Sequence, residues 1–600
     1  MTVRLSKDNI STFVGNVISL RLLSEQDISK CHITWRTEGD AVKIRDFSGD
    51  DPDCFNHGVL LTAMHEGRSL VTAEWDGKTY TCTVNVTKMR SFAPQDCTKH
   101  YIGDFHDHTS LIHKPAEFAV RTDTRAVDCV SQLREDGRLD FSVVSDHAGL
   151  IPKDDFFADF VAAEECSGND LIVFAGAESQ VNDIRTDRFG HTHKESGEIV
   201  TVNACNYANT DTFEEFFDTF AESPFAIASF AHPQVIGWDM NGIWNFRLDR
   251  NRQPELKRMT RLMEMVNGDK NNEDNLVNEY MYSVALDNGF KVSPVSCSDH
   301  HGPKWSYDMW NGKTVILAAE KSREAFLDAL RNCRTYATEA GNIKLDYRVN
   351  DRFPSETLEV CSVYHFHVET GVLPYAKPSR IVRLEVVSDG GKTVFAAKNQ
   401  DFVSFDFSFE SDSARYFYLR LCDENNCRTW SSPVWTGRPF DNTSEKSVPL
   451  YLDKSMFTAS DENGNDCSVV INGNPKEPWI SDSETPVVDI DMQRMTRIRG
   501  IGYSNHHFIR PQCNDEYPPI RHMAECVTEY RVLTSTDGKN YQQRADGCIR
   551  ALGGETDIYF SETVEARYVR FEVLKTVAAK SGDPRYTGTH AVLGEISVFR

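Results

Sequence analysis

Five separated segments of this chain run apolar and then stop on residue types that bind divalent cations. TyrIleGlyAspPheHisAspHis closes on His106 and His108, and PheSerValValSerAspHis closes on His147. LeuIleValPheAlaGlyAlaGlu stops at Glu178, PheAlaIleAlaSerPheAlaHis at His232, and ValSerProValSerCysSerAspHisHis at Asp299 and His301. Imidazole together with carboxylate is the mixed nitrogen and oxygen set suited to Zn, Mn or Fe. Two histidines at i and i+2 face the same side of an extended segment, so His106 and His108 can reach one ion. The spacing alone is not enough. His365 and His367 form a second HxH inside a plainly alternating strand, which reads as strand surface.

For residues so far apart to meet, the strands carrying them must run parallel, with their carboxyl ends on one face. Residues 97–351 have that pattern, short apolar runs alternating with helix-like stretches, the signature of βα units. Ten of the 19 histidines (100, 106, 108, 113, 147, 191, 193, 232, 300 and 301) fall there. After Ser322 as N-cap, Phe326, Ala329, Leu330 and Cys333 follow at i, i+3, i+4 and i+7, which predicts a helix packed on the outside of the sheet. Residues 1–90 alternate apolar and polar in short bursts with an Asp76-Gly77 hairpin signal, so a β-sandwich is expected. Alternation returns over 352–440, with Phe405, Phe407 and Phe409 on one face, and predicts a second β-sandwich. A polar linker at 441–447 leads into 448–600, strand-rich with turn signals such as Asp537-Gly538. The fold class expected is multidomain, α/β plus all-β.

At 600 residues the chain is several times the usual domain length of about 150, which predicts three to five domains. Lysine and arginine number 65 against 90 aspartate and glutamate, and 65 − 90 = −25 is a charge that repels phosphate backbones and anionic lipid. No nucleic-acid partner is expected, and no apolar run reaches the roughly 18–20 residues of a membrane span. The first residues show no secretory signal, so the compartment expected as sequenced is cytoplasmic. A secreted or cell-surface location stays open if a signal was removed. Sixteen scattered cysteines without a CxxC pair read as buried free thiols.

The region of strand ends resembles the PHP (polymerase and histidinol phosphatase) superfamily of metal-dependent phosphoesterases. The matching motifs are GlyAspPheHisAspHisThrSer at 103–110, LeuAspPheSerValValSerAspHis at 139–147, AlaGlyAlaGlu at 175–178, AlaHisPro at 231–233 and SerAspHisHis at 298–301. The resemblance implies a distorted (β/α)7 barrel holding two or three divalent ions (Mn, Fe or Zn). His106, His108, His147, Glu178, His193, His232, Asp299 and His301 would be the ligands, with catalytic roles for Asp299, His193 and His301. The implied reaction is hydrolysis of a phosphomonoester or phosphodiester, on a small substrate or a glycan, by attack of a metal-bridged hydroxide. The match has gaps. The histidine expected soon after the HxH pair has only a displaced candidate in His113, and the one expected between Glu178 and His232 must come from His191 or His193.

Around this set, Asp104 and Asp146 are candidates to orient imidazoles, or simply to cap turns. Arg185, Arg188 and Lys304 are candidates to neutralise phosphate. Trp305, with Trp238, Trp244 and Trp310, could wall a sugar or pack the loops. The first domain resembles bacterial immunoglobulin-like domains. The last resembles discoidin (coagulation factor type C) domains, jelly rolls that act in many bacterial enzymes as carbohydrate-binding modules; Tyr503, His506, His507, Arg510 and Tyr586 are candidate loop contacts there. Two other functions remain open: metal-dependent hydrolysis of a non-phosphate bond in a glycan, and carbohydrate binding without catalysis.

Overall fold

The computed structural model describes residues 2–26, 28, 31–45, 57–109, 125–149, 151, 153–186, 192–206, 208, 210, 212–221, 223–233, 241–242, 253–268, 274–302, 305, 312–440, 448–460, 466–473, 477–505, 524–549, 555–582 and 588–600. Of these, 153–155, 182–186, 192–196, 213, 241–242, 253–254, 274, 276–277 and 555 are described by backbone alone. The chain is mostly strand, 50% against 16% helix. At the amino end two four-stranded sheets bury Leu20, Trp35, Leu61, Val71 and Val84 between them. Asp76 and Gly77 turn Gly67–Trp75 into Lys78–Thr87 with φ of 50° and 68°, the paired left-handed geometry a two-residue hairpin needs.

Seven strands follow: β1 (Lys99–Asp107), β2 (Phe141–Val144), β3 (Ile172–Thr186), β4 (Thr192–Val202), β5 (Ile227–Ala231), β6 (Thr260–Asn267) and β7 (Ser293–Cys297). They pair in that order. β1, β2 and β3 are parallel, as are β5, β6 and β7, while β4 is antiparallel to both neighbours. Beyond β7 the chain bonds back to the end of β1: Asp299 N–H donates to His106 O and His108 N–H to His300 O, both at 2.9 Å. The strand ends therefore face one another across a ring. Gly103 in β1 is required by packing, because a Cβ there would sit 2.4 Å from the Phe141 carbonyl oxygen and ring.

Helices α1 (Ala126–Asp136), α2 (Lys153–Glu165), α3 (Phe213–Phe220), α4 (Gln253–Met259) and α5 (Asp274–Asp287) separate most of these strands. The (β/α)7 alternation expected from the sequence fails between β3 and β4, which form one long hairpin. SerGlnValAsnAspIleArgThr at 179–186 has no apolar stripe at helical spacing, and it pairs as strand instead. After β8 (Lys313–Ala318), helix α6 (Arg323–Arg331) begins at Ser322, whose Oγ accepts the Ala325 N–H, and it buries Phe326, Ala329 and Leu330. β9 (Thr335–Thr338) completes this part.

The expected boundary at 351/352 falls inside the second β unit. Ile343–Val349 pairs with Val363–Val372, which pairs with Ser404–Glu410. β9 also pairs with Arg428–Ser431, so the sheet of the ring runs on into Tyr416–Asp423, Ile381–Ser388 and Lys392–Lys398. The predicted phenylalanine face is present, with the Phe407 ring 4.1 Å from Phe395 and 4.9 Å from Phe366. The carboxy-terminal unit is a six-stranded sheet opposed by the pair Trp479–Ile480 and Val592–Leu593. It is docked rather than tethered: Tyr280 of α5 donates its hydroxyl to Ile549 O at 2.9 Å, and Cys526, Val577 and Ala578 share a core with Met281 and Tyr282. Among the described residues no helix is long and apolar enough to cross a membrane, and the described cysteines are free.

Candidate metal centre

Every expected ligand whose side chain is described arrives at one place. His106 Nε2 lies 2.9 Å from His108 Nε2, and Glu178 Oε2 lies 3.4 Å from each of them. Asp299 Oδ1 is 3.1 Å from His108 Nε2. His232 Nε2 is 2.8 Å from Glu178 Oε1, His147 Nδ1 is 2.7 Å from Glu178 Oε2, and His147 Nε2 is 3.3 Å from His301 Nε2. The His147 and His301 rings both pack against His108, at 4.3 and 4.2 Å, and lie 5.5 Å from each other. Two of these strand ends carry non-glycine residues at positive φ, His232 at 20° and Asp299 at 47°, a backbone strain of the kind that recurs at functional sites.

The donors fit a divalent cation. Bonds of about 2.0–2.2 Å to nitrogen and oxygen put neighbouring donors roughly 3.0–3.5 Å apart, close to the separations found. Glu178 Oε2 and Asp299 Oδ1 are buried and approached only by imidazole nitrogens, His147 Nδ1 at 2.7 Å and His108 Nε2 at 3.1 Å being the nearest, so a cation can replace a shared proton between them. Several groups of three donors fall within 4.8 Å of one another, among them His106, His108 and Glu178; His108, His147 and His301; and His147, Glu178 and Glu198.

In the absence of metal the imidazoles themselves carry positive charge: burial opposes it, but Glu178 raises His147 to about 9 and His232 to about 10. Burial disfavours ionisation of Glu178, yet His106 and His147 outweigh it and hold the carboxyl well below its usual range. Asp299 follows the same balance with His106 and His108. Burial, reinforced by His147 and His301, pushes His108 well down, which favours the neutral ring that a metal ligand requires.

The supporting contacts differ from those expected. Asp146 accepts the Thr109 N–H and hydroxyl at 2.7 and 2.8 Å, and Asp104 accepts Ser298 N–H at 3.0 Å, its hydroxyl, and Lys313 Nζ at 3.3 Å. Both tie loops together and neither touches an imidazole. The group that orients an imidazole is Glu264 on β6, 2.7 Å from His106 Nδ1. Trp305 is not an exposed wall: its ring is buried, and its indole N–H donates to His108 O at 3.1 Å. His365 and His367 pair instead with Ser408 and Asp406 on the neighbouring strand.

The side chains of Arg185 and His193, and Arg188, His113, His191, Lys304, Trp238, Trp244 and Trp310 entirely, lie outside the described residues, and so do His506, His507, Arg510 and Tyr586 of the last domain. Backbone pairing sets Arg185 opposite His193. Tyr503 is no loop contact; it is buried, with its hydroxyl 2.9 Å from Asn505 Oδ1. Glu264 and Glu198 were missed by the sequence reading. The one signal for Glu264 was a lone acid inside the apolar run LeuMetGluMetVal.

Residues 456–585 match the F5/8 type C domain family, which makes the carboxy-terminal unit a domain of that class. Solved structures similar to this part include a family 32 carbohydrate-binding module from Clostridium perfringens in complex with GalNAc-β-1,3-galactose (17% identity, 26% of this chain and 100% of that one, TM-score 0.19). Another is the family 32 module of Clostridium perfringens NanJ in complex with galactose (15% identity, 24% and 96%, TM-score 0.18). No curated protein matches the chain.

Proposed function

We propose that this protein is a carbohydrate-directed, metal-dependent hydrolase. Carbohydrate binding is the better supported half, and it rests on the F5/8 type C match over residues 456–585. The hydrolase half rests on one observation: a buried carboxylate oxygen, Glu178 Oε2, approached by three imidazoles, His106, His108 and His147, within 3.4 Å. So many nitrogen donors converging on one buried carboxylate supports reading the cluster as a ligand cage.

When bound, two or three divalent ions would activate water near neutral pH and polarise the oxygen of the bond to be cut. His106, His108, Glu178, His232 and Asp299 would hold them. Glu264, accepting from His106 Nδ1, keeps the Nε2 lone pair turned inward. His301, about a third exposed with Nδ1 against the Asp299 carbonyl oxygen at 2.9 Å, would present Nε2 to an ion beside His108 and His147.

The substrate class proposed is a phosphomonoester or phosphodiester carried by a small molecule or glycan. Its test is a panel of aryl phosphate mono- and diesters beside glycans with glycoside, ester and amide bonds. Release of phosphate supports the first reading; cleavage without phosphate moves the reaction to a carbohydrate bond. A second reading, carbohydrate binding without catalysis, is favoured by the same F5/8 type C match, and it predicts glycan binding with no turnover on either set.

A further inference from the structure

The centre has two chemically unlike ends. In the β3–β4 hairpin Glu178 lies opposite Val200 and Gln180 opposite Glu198, so Glu178 and Glu198 are diagonal neighbours on one face of the sheet. On its other side Glu198 pairs with Ala231, the residue before His232. Pairing therefore delivers a second carboxylate to the junction of two ligand-bearing strands. Glu198 Oε2 lies 3.5 Å from His232 Nε2, and Glu198, Glu178 and His147 offer donor atoms all within 4.8 Å of one another. The opposite end is built from imidazole alone, with His108, His147 and His301 donors within the same limit.

We infer that Glu198 is a metal ligand, and that it makes its end of the centre an oxygen-rich position for a harder divalent cation such as Mn2+, while the His108, His147 and His301 end takes a softer one such as Zn2+. This rests on the metal-dependent reading proposed above. With His147 given to the imidazole end, the oxygen end is Glu178, Glu198 and the His232 ring, whose Nε2 lies 2.8 and 3.5 Å from their oxygens; two carboxylates and one imidazole neutralise a divalent ion and match the preference of Mn2+ for oxygen donors. Three neutral imidazoles leave the full charge of the ion in place, an environment that suits Zn2+. Glu178 lies between the two ends, its Oε1 2.8 Å from His232 Nε2 and its Oε2 3.4 Å from His108 Nε2.

The sequence reading expected an imidazole between Glu178 and His232. Along β4 the backbone of His193 is paired with Arg185, toward the hairpin tip, whereas Glu198 is paired beside the ligand strands. An oxygen donor in place of a nitrogen donor is what polarises the centre.

The test uses the full-length protein stripped of metal by chelation and titrated separately with Mn2+ and Zn2+, read by calorimetry and by the electron paramagnetic resonance signal of Mn2+. Glu198→Gln keeps the shape of the side chain and removes the charge; it is expected to weaken the tightest Mn2+ site about tenfold or more while leaving Zn2+ affinity at the imidazole end unchanged. Glu198→His is expected to convert the lost Mn2+ site into an added Zn2+ site. Thermal melts of both variants without metal establish that each folds, and if Glu198→Gln does not, the Glu198→His result decides. Unchanged Mn2+ affinity in Glu198→Gln, or equal losses for both ions in folded variants, overturns the inference and leaves the metal-dependent reading standing. Failure of the wild-type chain to bind either ion overturns both.

Discussion

Glu264 Oε1 lies 2.7 Å from His106 Nδ1, and the other oxygen of the same carboxylate accepts the His232 backbone N–H at 2.6 Å. One acid on β6 thus fixes the ring on β1 and the strand end of β5. With its Nδ1–H committed to Glu264, His106 has only Nε2 to offer toward Glu178 and His108. Glu264→Gln is expected to lower metal affinity about 10- to 100-fold with the fold retained, measured by metal content after dialysis and by circular dichroism. Metal content equal to wild type would show that Glu264 is structural only.

Lys313 and Asp104 form a buried pair at 3.3 Å beneath the loop that carries Asp299. Asp104 also holds Ser298, and Ser298 Oγ donates to Asp107 Oδ1 at 2.9 Å. Removing one partner of such a pair strands a buried charge, so Lys313→Met is expected to cost about 3–5 kcal/mol. Denaturant unfolding of the full chain, followed through its cooperative transition, measures it, and a loss below about 1 kcal/mol, the range of exposed pairs, would contradict the buried geometry.

Asp159 on α2 is raised from 3.8 to about 7, first by burial and then by the charge of Asp146. The folded chain therefore holds this proton more tightly than the unfolded one. The stability contributed is fully present below about pH 4 and is lost as pH rises through about 7. Asp159→Asn should remove that part of the pH dependence, so that the variant gains on wild type between those limits. Parallel denaturant midpoints across this range test it, and parallel curves for the two proteins would refute the shift.

The strand ends were legible because metal chemistry is concentrated in few residue types and each stood at the close of an apolar run. His106, His108, His147, Glu178, His232, Asp299 and His301 all met as the parallel topology requires. Glu198 was not legible: GluSerGlyGluIleVal reads as an ordinary half-exposed strand, and only the 180–198 pairing across the hairpin reveals its neighbours. Glu264 sat in a run too apolar to tolerate an unpaired acid, a signal passed over because no second ligand type stood beside it. Asp104 and Asp146 had two readings open, orienting a ring or tying a turn, and adjacency to a ligand could not choose between them; their contacts to Thr109 and Ser298 show the second. The boundary near 351 was invisible because β9 bonds the two units through one continuous sheet.

The proposed glycan-binding domain and the proposed metal centre occupy different parts of the chain and should separate experimentally. Stripping metal, or replacing His106 with alanine, is expected to leave glycan binding by the F5/8 type C domain unchanged on an array. Loss of binding in both would place sugar recognition at the metal centre instead.

Whether the residues around Glu178 form a ligand cage is decided by elemental analysis of metal-reconstituted protein. About two or more equivalents of Mn, Fe or Zn per chain are expected, falling in His106→Ala together with hydrolytic activity. A chain that stays metal-free after reconstitution, with wild-type and His106→Ala alike, would contradict the cage.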